Sequence, residues 1–131
     1  MCRLGQAMIQ QRRHEQAELI MTTVLDMVRR GRDQQGEGYA LHALGVIAGA
    51  LGRPAESERL LRAAMEVRDR ILDSAGAARV YLDLAPLLAD QGNAAEAAQL
   101  AERALRTFAE RRMSTWQDKA QALLDVLTSS A

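Results

Sequence analysis

The sequence predicts an all-α chain of three helical hairpins closed by one further helix, and three observations carry that expectation. The stretch ALGVIAGALGRPAESERLLRAAMEVRDRIL (residues 43–72) returns as DLAPLLADQGNAAEAAQLAERALRTFAER at a constant offset of 40 residues, pairing Leu44 with Leu84, Gly52 with Gly92, Glu56 with Glu96, Leu60 with Leu100 and Ala64 with Ala104. Self-similarity at a fixed period of this size is the mark of stacked supersecondary units, none of which can bury its apolar face alone. Within each stretch, Leu and Ala recur at helical spacing and Gly, Pro or Asn interrupts them. Aromatic residues make up only 3% of the chain, a composition suited to closely packed helices.

The first copy is the most divergent. Another offset of 40 from Leu44 and Gly45 reaches Leu4 and Gly5, and from Leu60, Leu61, Ala64 and Met65 it reaches Ile20, Met21, Val24 and Leu25. Its first helix begins part-way through, as if the chain had lost a turn or been cut from a longer one, and its second helix is expected to begin at His14. In the second copy Leu41, Leu44, Ala48 and Leu51 share a face, Gly52 ends the helix, and Pro54 suits the first turn of the next. Leu60, Leu61, Ala64, Met65, Ile71 and Leu72 then form the stripe of a longer helix. In the third copy a helix starts near Gly76 and is expected to kink or break at Pro86, whose ring removes a hydrogen bond and crowds the preceding turn. Gly92 stops that helix, and Asn93 with Glu96 forms a capping box for its successor. Ser114 and Gln117 read as the cap of a seventh helix, whose Trp116, Ala120, Leu123, Leu124 and Leu127 cover the open end of the third hairpin. The whole is read as one domain over residues 1–131, with repeats at about 1–35, 36–74 and 75–113 and a closing helix at about 114–129.

Leu44-Gly45, Ala48, Gly52, Ser57, Leu61 and Ala64, with Leu84-Ala85, Leu88, Gly92, Ala97, Ala101 and Ala104, resemble the tetratricopeptide repeat. The period of 40 exceeds that family's usual length of about 34, and its closing proline is missing. Longer second helices of this kind resemble the repeat arms of bacterial signalling ATPases and large transcriptional regulators. The resemblance implies a right-handed superhelical stack acting as a scaffold. It also implies a concave side, lined by the first helix of each hairpin, that holds an extended peptide or a partner helix. Register places Cys2, Gln6, Tyr39, His42, Val46, Arg79, Leu82, Pro86, Asp90, Gln121 and Asp125 on that side. Tyr39, His42 and Arg79 stand out, because aromatic and Arg side chains dominate binding hot spots. The family's carboxylate clamp for chaperone tails needs Asn where Val46 and Pro86 stand, so that partner is disfavoured.

Chemistry other than binding finds little to build on. Cys2, His14 and His42 do not converge. Cys2 and His42 are equivalent in register, but adjacent helix axes lie about 8–10 Å apart, too far for two ligands of one metal. Gly45, Gly49 and Gly52 lie in an apolar helical pattern with no preceding strand, so they do not form a phosphate loop. No catalytic role, cofactor or metal is assigned. Seventeen Lys+Arg balance seventeen Asp+Glu, leaving no net field for nucleic acid or an anionic membrane. A lone cysteine and the lack of a signal-like or membrane-length apolar run point to the cytoplasm, and the near-exclusive use of Arg over Lys hints at a bacterial source. The partner expected is a protein or peptide. The alternative is a self-associating unit, a homodimer formed through the N-terminal hairpin with Leu4 and Met8 at the contact.

Overall fold

The structure, a computed structural model, describes residues 3–129, with side chains from Gly5 onward; Cys2 and the side chain of Leu4 lie outside the described residues. All regular structure among these residues is helical: α1 (Arg3–Arg30), α2 (Gln34–Ala50), α3 (Pro54–Arg70), α4 (Ser74–Asp90), α5 (Ala94–Glu110) and α6 (Ser114–Ser129). The chain forms two compact units, one ending at Val67 and one beginning at Arg68, so the last turn of α3 belongs with the second.

Five turns join these helices, and they share one geometry. Arg32, Gly52, Leu72, Gly92 and Arg112 have positive φ, between 55° and 85°. In each turn the next residue's N–H reaches five residues back, as in Asp33 to Val28 (2.8 Å), Asp73 to Arg68 (2.8 Å) and Met113 to Phe108 (2.9 Å). This is the Schellman stop, which satisfies carbonyls that a helix end leaves orphaned. Only Gly52 and Gly92 reach the left-handed region without steric cost; at Arg32, Leu72 and Arg112 it costs roughly 1–2 kcal/mol. Burial of the following helix offsets that cost. Helix starts are capped where the sequence supplies a short polar side chain. Asp33 and Asp73 accept from the N–H groups of Gly36 and Gly76, both at 2.9 Å. Asn93 accepts from Glu96 N–H at 3.4 Å while its own amide donates to the Glu96 carboxylate at 2.9 Å, a variant of the expected capping box.

α3 is no longer than α2, each having 17 residues, and it ends at Arg70, so the expected stripe does not extend to Ile71 and Leu72, which lie in the turn with Leu72 left-handed and exposed. Four other expectations are corrected. The first hairpin does not form: α1 runs unbroken for 28 residues, giving six helices among the described residues where seven were expected. Arg12 and Arg13 occupy the positions of Gly92 and Asn93, so the chain carries neither a left-handed stop nor a cap there, and His14 lies within α1, half-buried. Pro86 does not break α4, which continues to Asp90. Pro86 is on the exposed side, while Leu84, Ala85 and Leu88 on the other side are buried, so packing carries the helix past the missing hydrogen bond. The third correction is to the start of α4, which lies at Ser74 with Asp73 as its cap, ahead of Gly76. Finally, Ser114 is the first residue of α6, not its cap; Gln117 N–H bonds the carbonyl of Met113.

In the first unit α1 packs on α2 through its C-terminal half. Leu25 is buried there, the Arg29 guanidinium reaches Glu37 at 2.8 Å, and Glu18 holds Arg53 at 2.7 Å. The α2–α3 hairpin closes through small residues: Ser57 Oγ donates to the Gly45 carbonyl at 2.7 Å, and Leu61 sits so close that a β-carbon on Gly45 would fall 2.7 Å from it. In the second unit α4 packs on α5 and α5 on α6. Val80, Leu84, Leu88, Ala97, Ala101, Ala104 and Phe108 are buried there, which is where the repeat register expects close helix contact.

Candidate partner-binding faces

Tyr39, His42 and Val46 recur at steps of three and four residues and therefore share one side of α2. The Asp33 cap fixes the start of the helix and so the rotation of that side. Ala40, Leu41, Leu44 and Ala48 face inward and are buried, leaving Tyr39 63% exposed, Val46 exposed and His42 half-buried. Tyr39 is an apolar ring with a polar tip in water, the form in which tyrosine serves at interfaces.

On α4 the corresponding residues are Arg79, Leu82, Pro86 and Asp90. Arg79, Pro86 and Asp90 are exposed and Leu82 is half-buried. Arg79 is already engaged: its guanidinium carbon lies 4.6 Å from the centroid of the Trp116 ring. The Lys119 ammonium approaches the same ring at 4.4 Å, and Phe108 stacks on it at 5.8 Å with the planes 29° apart. Two cations on one indole are each held by about 0.5–1 kcal/mol at such partly exposed sites. Their ordering lowers the entropic cost of presenting them to an acidic or aromatic group. Further along α6, the Gln121 amide donates to Asp125 at 2.9 Å.

Register ties these details together. Tyr39, Arg79 and Lys119 are equivalent residues of successive first helices, and so are Gly36, Gly76 and Trp116. Each member of the second set meets the residue eight positions before it. Val28 crosses Gly36, Arg68 crosses Gly76, and Phe108 stacks on Trp116. Glycine at the first two sites leaves room for a side chain to cross the helix start; at the third an indole fills the space and becomes the platform for Arg79 and Lys119. Sequence reasoning read Trp116 only as part of an apolar face. Comparing it with Gly36 and Gly76 was the signal that could have singled it out.

Two buried polar groups of the second unit were also missed. Arg68 is buried, with Asp73 at 3.7 Å, and its Nε has no hydrogen-bond partner. Burial holds its pKa below the ordinary arginine value; Asp73 opposes the shift and the nearby Arg79 adds to it. Tyr81 is buried on α4 with the Arg103 guanidinium 4.8 Å from its ring centroid. Burial raises its pKa, the Asp69 carboxylate adds to the rise, and Arg103 opposes it. Both groups sit inside otherwise periodic helices, where nothing in the local pattern distinguishes them from solvated surface.

The N-terminal residues expected at a self-association contact separate. Met8 is 63% exposed on α1, and Leu4's side chain lies outside the described residues. Further along α1, Ile20 is exposed, Met21 and Val24 are half-buried, and Leu25 is covered by the chain itself. Among the described residues no helix is long and apolar enough to cross a membrane.

The family model of the tetratricopeptide repeat matches residues 36–110, from the first turn of α2 to the end of α5. No curated protein matches the chain.

Proposed function

The chain belongs to the tetratricopeptide repeat family, and from that premise we propose that it is a non-catalytic docking module in the cytoplasm that binds a peptide or partner domain through the exposed sides of its first helices. Tyr39, His42 and Val46 make the contacts from α2, and Arg79, Leu82, Pro86 and Asp90 make them from α4. One observation carries this reading: the equivalent positions Tyr39, Arg79 and Lys119 present an exposed aromatic or cationic group from successive first helices, and two of the three are held over Trp116. Side chains that are exposed yet ordered are the ones that bind at low entropic cost.

A random peptide library selected on the immobilised protein, followed by amide-shift mapping of the best binder, tests this. The expected perturbations fall on Tyr39, Val46, Arg79 and Lys119, and Tyr39→Ala and Arg79→Ala each weaken binding at least about tenfold, as hot-spot truncations do. Perturbations confined to the outward residues Arg59, Arg70 and Arg106, with both alanine variants binding normally, would reject it.

A further inference from the structure

Ala17, Ile20, Val24 and Met27 follow one another along α1 at steps of three, four and three residues, the spacing of a heptad seam. In register they are the counterparts of Ser57, Leu60, Ala64 and Val67 on α3 and of Ala97, Leu100, Ala104 and Thr107 on α5. On α3 all four are buried, and on α5 the first three are. On α1 the same side is open. Ile20 is 63% and Met27 65% exposed, against 7% for Leu60 and 5% for Leu100, while Ala17 and Val24 are half-buried. The cause is the unbroken helix: residues 3–13, which in the other copies would fold back as the first helix of the hairpin, here prolong α1 and leave its second-helix face uncovered. This face is distinct from the one that packs on α2, which carries Leu25.

We propose that the stripe is the seam of an antiparallel homodimer, in which α1 of a second copy takes the place of the missing first helix. The stripe is complementary to its own reverse. With the two helices antiparallel and centred on residue 22, Ala17 faces Met27 of the second copy and Ile20 faces Val24 of the second copy. Small meets large and branched meets branched in all the layers, a pattern suited to interdigitation. The flanks agree. Gln16 and Thr23 border the seam on one side and Met21 and Val28 on the other, so no carboxylate meets a carboxylate; Arg30 falls near Gln16 of the second copy. A twofold contact of this kind is isologous and closes on itself. The self-association site therefore lies at residues 17–27 and not at Met8, which is rotated about 120° from Ile20 on a straight helix. The seam is short, so the dimer is concentration-dependent.

Sedimentation equilibrium on the full chain carrying Cys2→Ser, from about 1 µM to about 1 mM, tests the proposal; the substitution removes disulfide dimers. The expected result is a monomer–dimer equilibrium that Ile20→Lys and Met27→Lys each abolish without loss of helical circular dichroism. Leu19→Lys, at a residue 72% exposed but off the seam, should leave the dimer intact. Orientation is read by oxidising single-cysteine variants. Ala17→Cys crosslinks to Met27→Cys in a mixture faster than either crosslinks to itself. A monomer across the whole range, a dimer that survives both lysine variants, or preferential self-crosslinking at residue 17 overturns the proposal. A monomer would leave the face to a foreign helix or to sequence preceding this chain.

Discussion

The α4–α5 hairpin and α1 are the same stretch of the repeat written twice, 80 residues apart, and they fold differently. Leu84, Leu100 and Ala104 of the hairpin correspond to Leu4, Ile20 and Val24 of α1, yet the chain turns at residues 91–93 and runs straight through residues 11–13. Part of the difference is local. Gly92 takes φ of 85° at no steric cost and Asn93 caps the helix that follows, whereas Arg12 and Arg13 do neither. Local chemistry is not the whole of it, because Arg112 adopts φ of 57° with Met113 after it, and the chain still turns. There the new helix gains the stacking of Trp116 on Phe108 and the burial of Ala120. A left-handed non-glycine residue costs roughly 1–2 kcal/mol, so a break forms only where the segment beyond it buries enough to offset that. The short stretch before residue 12 does not: its Met8 and Ile9 stay exposed. Register thus decides which face of a helix is apolar, and the balance at the turn decides whether a second helix comes back to cover it.

The largest expected effect sharpens the contrast between covered and open copies of one position. Ala104 is fully buried between helices, so Ala104→Glu places an unpaired charge in the core and should lower unfolding free energy by about 3–5 kcal/mol. Val24→Glu, at the counterpart on α1, should cost under about 1 kcal/mol when measured below the dimerisation range. Urea unfolding of both variants checks this, and equal losses would show that α1 is covered after all. A second pair compares glycines. A β-carbon at Gly45 would meet Leu61 at 2.7 Å and its backbone nitrogen at 3.2 Å, so Gly45→Ala should destabilise by about 1–3 kcal/mol. At Gly5, the same register position, a β-carbon meets nothing within 4 Å; Gly5→Ala should raise the helicity and stability of α1 by about 0.5–1 kcal/mol. Thermal melts followed at 222 nm separate the two signs.

Much of this was legible in the sequence, for identifiable reasons. The 40-residue register placed Leu44, Ala64, Leu84 and Ala104 in cores where they are found buried. Gly52 and Gly92 marked two turns correctly because positive φ suits glycine. Residues 32, 72 and 112 did not mark their turns, and Leu72 read as part of a helical stripe, since an Arg or Leu in the left-handed region is a result of packing and has no local signature. The expected break at Pro86 and the first hairpin failed for the same reason from opposite sides: burial overrode a helix breaker in α4, and too little burial failed to impose a break in α1. The residues that register assigned to the first-helix faces are exposed or half-buried on α2 and on α4. What periodicity could not supply was the pairing of side chains distant in sequence, so the Arg79–Trp116–Lys119 cluster and the burial of Arg68 appear only in three dimensions.

The smallest expected effect comes from Tyr81, whose pKa is raised first by burial and then by Asp69, against Arg103. A raised pKa in the fold means that the folded state holds the phenolic proton more tightly than the unfolded chain. Its contribution to stability is therefore complete below the unfolded tyrosine value near 10 and is lost as pH rises through the folded value. Urea midpoints measured on either side of about pH 10 should fall with rising pH in the parent protein and fall less in Tyr81→Phe. Identical slopes would mean that Tyr81 ionises as it does in the unfolded chain.

Both the fold correction and the dimer rest on α1 being a single unbroken helix, and one distance tests it. Spin labels on cysteines at Ala7 and Thr22 in a Cys2→Ser background, diluted with unlabelled chain, report the intramolecular separation by double electron–electron resonance. Both sites are exposed, and fifteen residues of continuous helix place them about 22 Å apart along the axis. The double variant Arg12→Gly, Arg13→Asn, which restores the stop and cap of the α4–α5 turn, provides the comparison by favouring a folded-back first helix. A narrow distribution centred beyond about 20 Å in the parent chain, with a shorter component appearing only in the double variant, is the predicted result. A dominant distance shorter than about 15 Å in the parent chain would mean that residues 3–13 fold back over Ile20 and Val24, and would contradict the account.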